Sequence, residues 1–401
     1  MSTVTEPKAA VAPPSTRLWQ LAALNAVASV FLLVSFGLTG IGQATEAGCT
    51  TQILDFHVFW SAGRLAADGM AQAALDPAVL NAGFNACTAD WMPWLHPPPA
   101  LAFMTPFGLL PLVPAWFAFN AVALTALGTA LVPFAPSPWL LAVVLAPAFL
   151  PALLAGQFTL LWIAGFLAAL HALRTERWVW AGVLIACLTL KPTLGLLIPV
   201  ALLAMGAWRT IFAASVSTIL LHGLATMFYG AAYWPKLLAL YQTLGDTAAG
   251  NPGALTTMTS VTAFLSRLGM SPDTGLLVNL ALALVLAAVV FVVWRRLGVR
   301  SDAAVAVLAA AIPLASPYLW HYDSAFLVIT ALFLLRQTGF RPGGMTAVLC
   351  LLFWMGAGLS VWLNATTITT ALPPLLVVPP LFGLAFAASL YHSIAGEKEG
   401  R

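Results

Sequence analysis

Charge is what this sequence has least of. Asp, Glu, Lys and Arg make up only 7% of its 401 residues against 61% hydrophobic, and mean hydropathy is +0.95. A soluble domain of this length cannot cover its surface with so few charges, which excludes a water-soluble globular protein. The net charge of +3 is no sign of nucleic acid, and no nucleic-acid partner is expected. What carries information is where the few cations lie.

Cysteine is almost as scarce. There are four, with no C-x-x-C and no Cys/His spacing of a metal site. Cys187 and Cys350 fall within apolar runs and read as small apolar fillers. Cys49 and Cys87 share one hydrophilic stretch and are either a disulfide, which an oxidising compartment permits, or two free thiols. No P-loop and no clear acidic metal cluster is present, and neither a metal nor a cofactor is expected.

Long apolar runs are what the sequence has in abundance. Many approach the roughly 20 residues that a helix needs to cross a hydrocarbon core of about 30 Å. Backbone polar groups in lipid must be satisfied within their own segment, so the runs are helices and the fold class is an all-α polytopic membrane protein. The first run, 18–38, is longer than the roughly 7–15-residue core of a cleaved signal peptide, and reads as a retained span after a cytoplasmic tail, 1–17.

A hydrophilic stretch over 40–94 follows, with Glu46, Asp55, Asp68, Asp76 and Asp90 against Arg64. Within it, residues 56–67 space their apolar side chains as an amphipathic helix lying in the membrane interface would. His96-Pro97-Pro98-Pro99 ends the stretch and predicts a short interfacial or re-entrant helix before a span over 114–131. Runs at 139–154 and 157–173 come next. Those at 178–190 and 193–207 meet at Lys191-Pro192, where proline's missing N–H predicts a break. Residues 211–229 lead into a second long loop, 230–274, and further runs reach 393 before a cytoplasmic tail, 394–401. The whole reads as one transmembrane domain, 18–393, of about 10–12 crossings with two longer extracytoplasmic loops.

Alternation of the spans puts Lys8, Arg17, Arg174, Arg177, Arg209, Arg295, Arg296, Arg300, Arg336, Arg341, Lys398 and Arg401 on one side. Only Arg64, Lys191, Lys236 and Arg267 fall on the other, so the positive-inside rule makes the first side cytoplasmic. Most tryptophans, among them Trp94, Trp116, Trp208, Trp234 and Trp294, then read as interfacial belts.

The polar residues that topology leaves unexplained share the extracytoplasmic half: Asp55, His57, His96, Gln157, Lys191, Asn251, His321, Tyr322 and Asp323. Ionisable groups at membrane depth are costly and tend to mark function. Each also has a plainer reading. Asp55 is either a solvated loop acid or helix cap, or a general base toward a sugar hydroxyl. Lys191 either snorkels to an interface or faces a phosphate. Gln157 either caps a helix or binds a sugar. His321 is either a satisfied loop histidine, or a residue that contacts phosphate or orients the acid.

The order of short motifs carries a resemblance. Asp55-Phe56-His57-Val58-Phe59-Trp60 is followed by His96-Pro97-Pro98, Gly156-Gln157, Lys191-Pro192 and then Ser316-Pro317 through His321-Tyr322-Asp323. In this the chain resembles glycosyltransferase family 87, membrane glycosyltransferases of the GT-C fold class whose best-known members use polyprenyl-phosphate-mannose.

The resemblance implies a GT-C-type bundle in the inner (plasma) membrane that moves a mannose-like hexose from a polyprenyl-phosphate sugar donor to a lipid or glycan acceptor. The reaction is inverting, needs no metal and takes place on the extracytoplasmic face. By the same resemblance Asp55 and His321 are catalytic, and Lys191, His321 and Tyr322 bind the donor phosphate. Gln157, His96, His57 and Asp323, which lie in the matching motifs, and Asn251, which shares only their face of the membrane, are candidates to bind sugar or acceptor. Two positions depart from the pattern: Met258-Thr259-Ser260 ahead of Arg267 lacks the family's asparagine, and Leu95 precedes His96 where an aromatic is common. A transporter or flippase of a lipid-linked sugar is the alternative, since transporters also place polar residues at broken helices.

Overall fold

The computed structural model describes residues 13–39, 55–82, 92–250, 258–358 and 374–399. Asn251, Cys49 and Cys87 lie outside the described residues. Within them the chain is helical, with short 3-10 turns and an isolated backbone bridge between Met258 and Trp320. The protein is an all-α polytopic membrane protein.

The helices are α1 (Thr16–Thr39), α2 (Asp55–Ala67), α3 (Pro77–Ala82), α4 (Pro98–Gly108), α5 (Leu112–Leu131) and α6 (Ser137–Val144). Then come α7 (Leu150–Ala155), α8 (Thr159–Arg174), α9 (Trp178–Cys187), α10 (Ile198–Met205), α11 (Trp208–Tyr229) and α12 (Tyr233–Gly250). The last six are α13 (Val261–Arg267), α14 (Pro272–Leu297), α15 (Asp302–Ala315), α16 (Ala325–Gln337), α17 (Gly344–Met355) and α18 (Pro374–Glu399).

Four of these, α1, α5, α11 and α14, are long and apolar enough to cross a membrane alone. The segment 137–155 is long enough only as a pair bent by 43° between α6 and α7. Pro147 brings no N–H to that bend, and the Asn25 side chain of α1 donates to the Leu145 carbonyl there at 2.7 Å.

Hydropathy alone does not set which helices face lipid. In α11 only Thr210 and Ala225 are buried, whereas every residue of α15 from Ala303 to Ala315 is buried. In α16 the buried set runs from Ala325 to Leu335. α15 and α16, apolar all round and too short to span comfortably, form the bundle's interior, whereas the long helices α1, α11 and α14 are mostly exposed and form its lipid-facing wall.

The amphipathic surface helix expected over 56–67 is instead an interior element. It begins at Asp55, and Phe56 to Gly63 are all buried. The reason is a close crossing with α4. A Cβ at Gly63 would collide with the Met104 carbonyl, and one at Gly108 with the Arg64 backbone nitrogen. Two glycines let the backbones touch, so aromatic side chains close over α2 rather than lipid. The described part of the second long loop is also largely helical, since it contains α12 and α13.

Several tryptophans expected in interfacial belts are likewise internal. Trp94, Trp116 and Trp294 are buried. Trp294 donates its indole N–H to Ala304 O at 2.9 Å, and Trp94 donates to Tyr233 OH at 2.7 Å. An indole with a partner for its N–H is a stable core residue. Trp208 and Trp234 are exposed.

One end of the bundle is closed by ions. Arg174, at the end of α8, and Arg336, near the end of α16, both bind Asp302 at the start of α15, at 2.9 and 3.0 Å. Both guanidinium groups also lie over the rings of Phe134 and Phe333. The opposite ends of α8 and α16 are roughly 20 Å away, by helical rise.

Candidate active site

Four chain segments meet at that far end: the start of α2, the α7–α8 junction, the break between α9 and α10, and the loop from α15 to α16. Each is a place where a helix starts or stops, which leaves polar side chains free to converge.

Asp55 opens α2 and is only partly buried. The Gln157 amide donates from Nε2 to Asp55 Oδ2 and to the Tyr322 hydroxyl, the latter at 3.1 Å. Gly156 makes this possible. It ends α7 at φ +64°, and a Cβ there would stand 2.7 Å from Phe56 Cβ. Glycine alone satisfies both the left-handed turn and the contact with α2. Gln157 Oε1 is buried and has no hydrogen-bond partner among the described residues.

Lys191 sits between two 3-10 turns, Leu188–Leu190 and Pro192–Leu194. The expected break at Lys191-Pro192 is therefore present. The lysine is buried, and its Nζ reaches Asp323 Oδ1 at 2.7 Å and Thr159 Oγ1 at 3.3 Å. It also lies 4.8 Å from the centre of the Tyr322 ring. Asp323 is fully buried: its Oδ1 accepts from Lys191 and, at 2.7 Å, from Thr159, while its Oδ2 accepts from Trp320 N–H at 3.3 Å. Asp55, Gln157, Tyr322, Lys191, Thr159 and Asp323 thus form one connected polar cluster.

Burial pushes the Asp55 carboxyl above the usual carboxylate range, and Gln157, Lys191 and Tyr322 oppose that rise. Burial also lowers the His321 imidazole from its ordinary value, with Asp323 opposing. A raised carboxylate is a stronger base, and a lowered imidazole is neutral at pH 7.

His321 stands beside the cluster, its ring 5.4 Å from that of Tyr322. His96 is set apart in an aromatic box of Phe59, Trp94 and Phe158, with Nδ1 facing Leu190 O at 3.1 Å. A carbonyl can only accept, so Nδ1 carries the proton. Burial holds this imidazole neutral, its pKa down at about 4. His57 is wholly buried in α2. Asn251 lies outside the described residues. Thr159 carries no sequence signal, because a threonine opening an apolar run reads as one more helix residue.

The family model of glycosyltransferase family 87 matches residues 94–317, more than half of the chain. The chain belongs to glycosyltransferase family 87. It is a membrane glycosyltransferase, and a sugar donor and an acceptor are its reactants. Neither a curated protein nor a solved structure matches it. In this family 87 chain, Gln157, Thr159 and Lys191 fall inside the matched range. Asp55, Tyr322 and Asp323 fall outside it, and hydrogen bonds join them to the residues within.

Proposed function

We propose that this glycosyltransferase moves a mannose-like hexose from a polyprenyl-phosphate-linked donor to a lipid or glycan acceptor, with inversion and without a metal. The observation that carries the proposal is the cluster itself. A partly exposed carboxylate of raised basicity is tied through Gln157 and Tyr322 to a buried ammonium.

In this reading Asp55 takes the proton of an acceptor hydroxyl as its oxygen bonds to the anomeric carbon. The bond from that carbon to the phosphate oxygen breaks on the opposite face, and its electron pair leaves with the lipid phosphate. Lys191 meets the leaving phosphate: two of its three N–H groups are committed to Asp323 and Thr159, which leaves one for a phosphate oxygen. His321 and Tyr322 supply neutral donors beside it. Gln157 Oε1, without a protein donor, accepts from a sugar hydroxyl. Asp323 has both oxygens engaged and holds Lys191 in place. His96, His57 and Asn251 are proposed to contact sugar or acceptor at the margin of the site.

The site lies at the end of the bundle away from the Arg174–Asp302–Arg336 closure, which with the positive-inside rule supports an extracytoplasmic site in the inner membrane. The test is to supply purified protein with radiolabelled polyprenyl-phosphate-mannose and membrane lipid extract. Transfer is expected, and Asp55→Asn should slow it by about 10²–10⁴, the range of general-base catalysis. Full-rate transfer by Asp55→Asn removes Asp55 as the base. No consumption of this donor in any condition removes polyprenyl-phosphate-mannose as the donor.

A further inference from the structure

We infer that Asn279 is a positioning residue for sugar transfer, acting through the loop that carries Tyr322 and Asp323. The inference rests on the site proposed above but on none of its ligands. Asn279 lies on α14 and is fully buried. An amide in such a place must be satisfied, and this one uses its whole capacity of two acceptor sites and two N–H groups. Its Oδ1 accepts from Thr262 N and Thr262 Oγ1, both at 3.3 Å. Its Nδ2 donates to Leu314 O at 3.4 Å and Ala315 O at 3.5 Å.

Those two carbonyls end α15, where the chain stops being helical because Pro317 has no N–H to continue it. Asn279 therefore takes up the last carbonyls before the site loop and joins them to α13. The far side of the same loop is held by the residues that lead into α13. Thr259 N–H donates to Leu319 O, at 2.6 Å, and Met258 pairs with Trp320 through the backbone. Gly275 lets α14 come close enough, since a Cβ there would be 3.1 Å from Thr262 O.

Residues 258–262 are thus a clasp that grips the loop at Leu314–Ala315 and again at Leu319–Trp320, and Asn279 is the rivet of the first grip. Three residues beyond the second grip lies Asp323, whose Oδ2 is itself held by Trp320 N–H. Met258, at the head of the stretch that departs from the family pattern, pairs here through its backbone, so a methionine there is tolerated.

Asn279→Leu, similar in size and without hydrogen bonds, tests this. Hydrogen–deuterium exchange of the detergent-solubilised protein is expected to rise at least several-fold in peptides covering 316–323 and to stay unchanged in those covering 159–174. Transfer from polyprenyl-phosphate-mannose should fall about tenfold or more in turnover with donor KM changed less than twofold. Thr262→Val, which keeps the backbone N–H to Asn279, should behave nearly as wild type in both. Unchanged exchange over 316–323 in Asn279→Leu overturns the inference. So does a uniform rise over the whole chain, which marks a merely structural residue. If wild-type protein transfers no mannose, the proposed donor is wrong, and the exchange measurement still decides the role of Asn279.

Discussion

Lys191 and Asp323, 132 positions apart in the sequence, meet at 2.7 Å with the carboxylate fully buried and the lysine side chain 10% exposed. The pair joins the break in the α9–α10 segment to the loop between α15 and α16. It fixes the position of the site's cation and adds a polar tie between two segments that already share the apolar core.

Removing one partner of this buried pair should destabilise the protein by roughly 3–5 kcal/mol, because the other charge is left uncompensated. Lys191→Met and Asp323→Leu are each expected to lower the thermal unfolding temperature in detergent. The double variant should recover most of that loss, yet stay inactive in sugar transfer because the cation is gone. A double variant with near wild-type transfer would falsify the role of Lys191 at the phosphate.

The pH dependence of transfer should report Asp55. Its working form is the carboxylate, and burial raises its pKa. Activity is therefore complete above the raised value and is lost as pH falls through it, at a higher pH than for an ordinary Asp of about 3.9. Gln157→Leu removes a hydrogen bond that opposes the rise, so the acid limb should move further up in pH. A limb at the same pH in wild type and Gln157→Leu assigns it to another group.

Gly156→Ala combines a left-handed backbone with a collision against Phe56. Strain of that kind costs on the order of 1–3 kcal/mol. The variant should shift α2 relative to the α7–α8 junction, break the Gln157–Asp55 contact and lose activity beyond what its lowered unfolding temperature explains. Equal activity and stability in Gly156→Ala would show that the close approach is dispensable.

At the other end of the bundle, Asp302→Asn leaves Arg174 and Arg336 facing each other with their shared carboxylate gone. Thermal stability is expected to fall while donor KM stays within about twofold, because roughly 20 Å of helix separates this cluster from the site. A selective loss of turnover without a loss of stability would mean that the two ends are coupled.

The sequence by itself determined the class of this protein and where its helices must stop. In a bilayer the backbone has no partner but itself, so apolar runs become helices wherever they occur, and Lys191-Pro192 breaks one wherever it lies. The polar residues that remain are few enough to stand out, and Asp55, Gln157, Lys191, Tyr322 and Asp323 do meet. Their pairing was decided only in three dimensions. Nothing local says that Asp323 belongs to Lys191 and Thr159 rather than to a ligand, or that Asn279 ties α13 to α15. The same holds for exposure. Lipid tails and leucine side chains are equally apolar, so hydropathy cannot tell a helix that faces the membrane, as α11 does, from one buried in the bundle, as α15 is. For α2 the choice turned on Gly63 and Gly108, two residues without side chains, which let a helix that looked interfacial pack inside and carry Asp55 to the site.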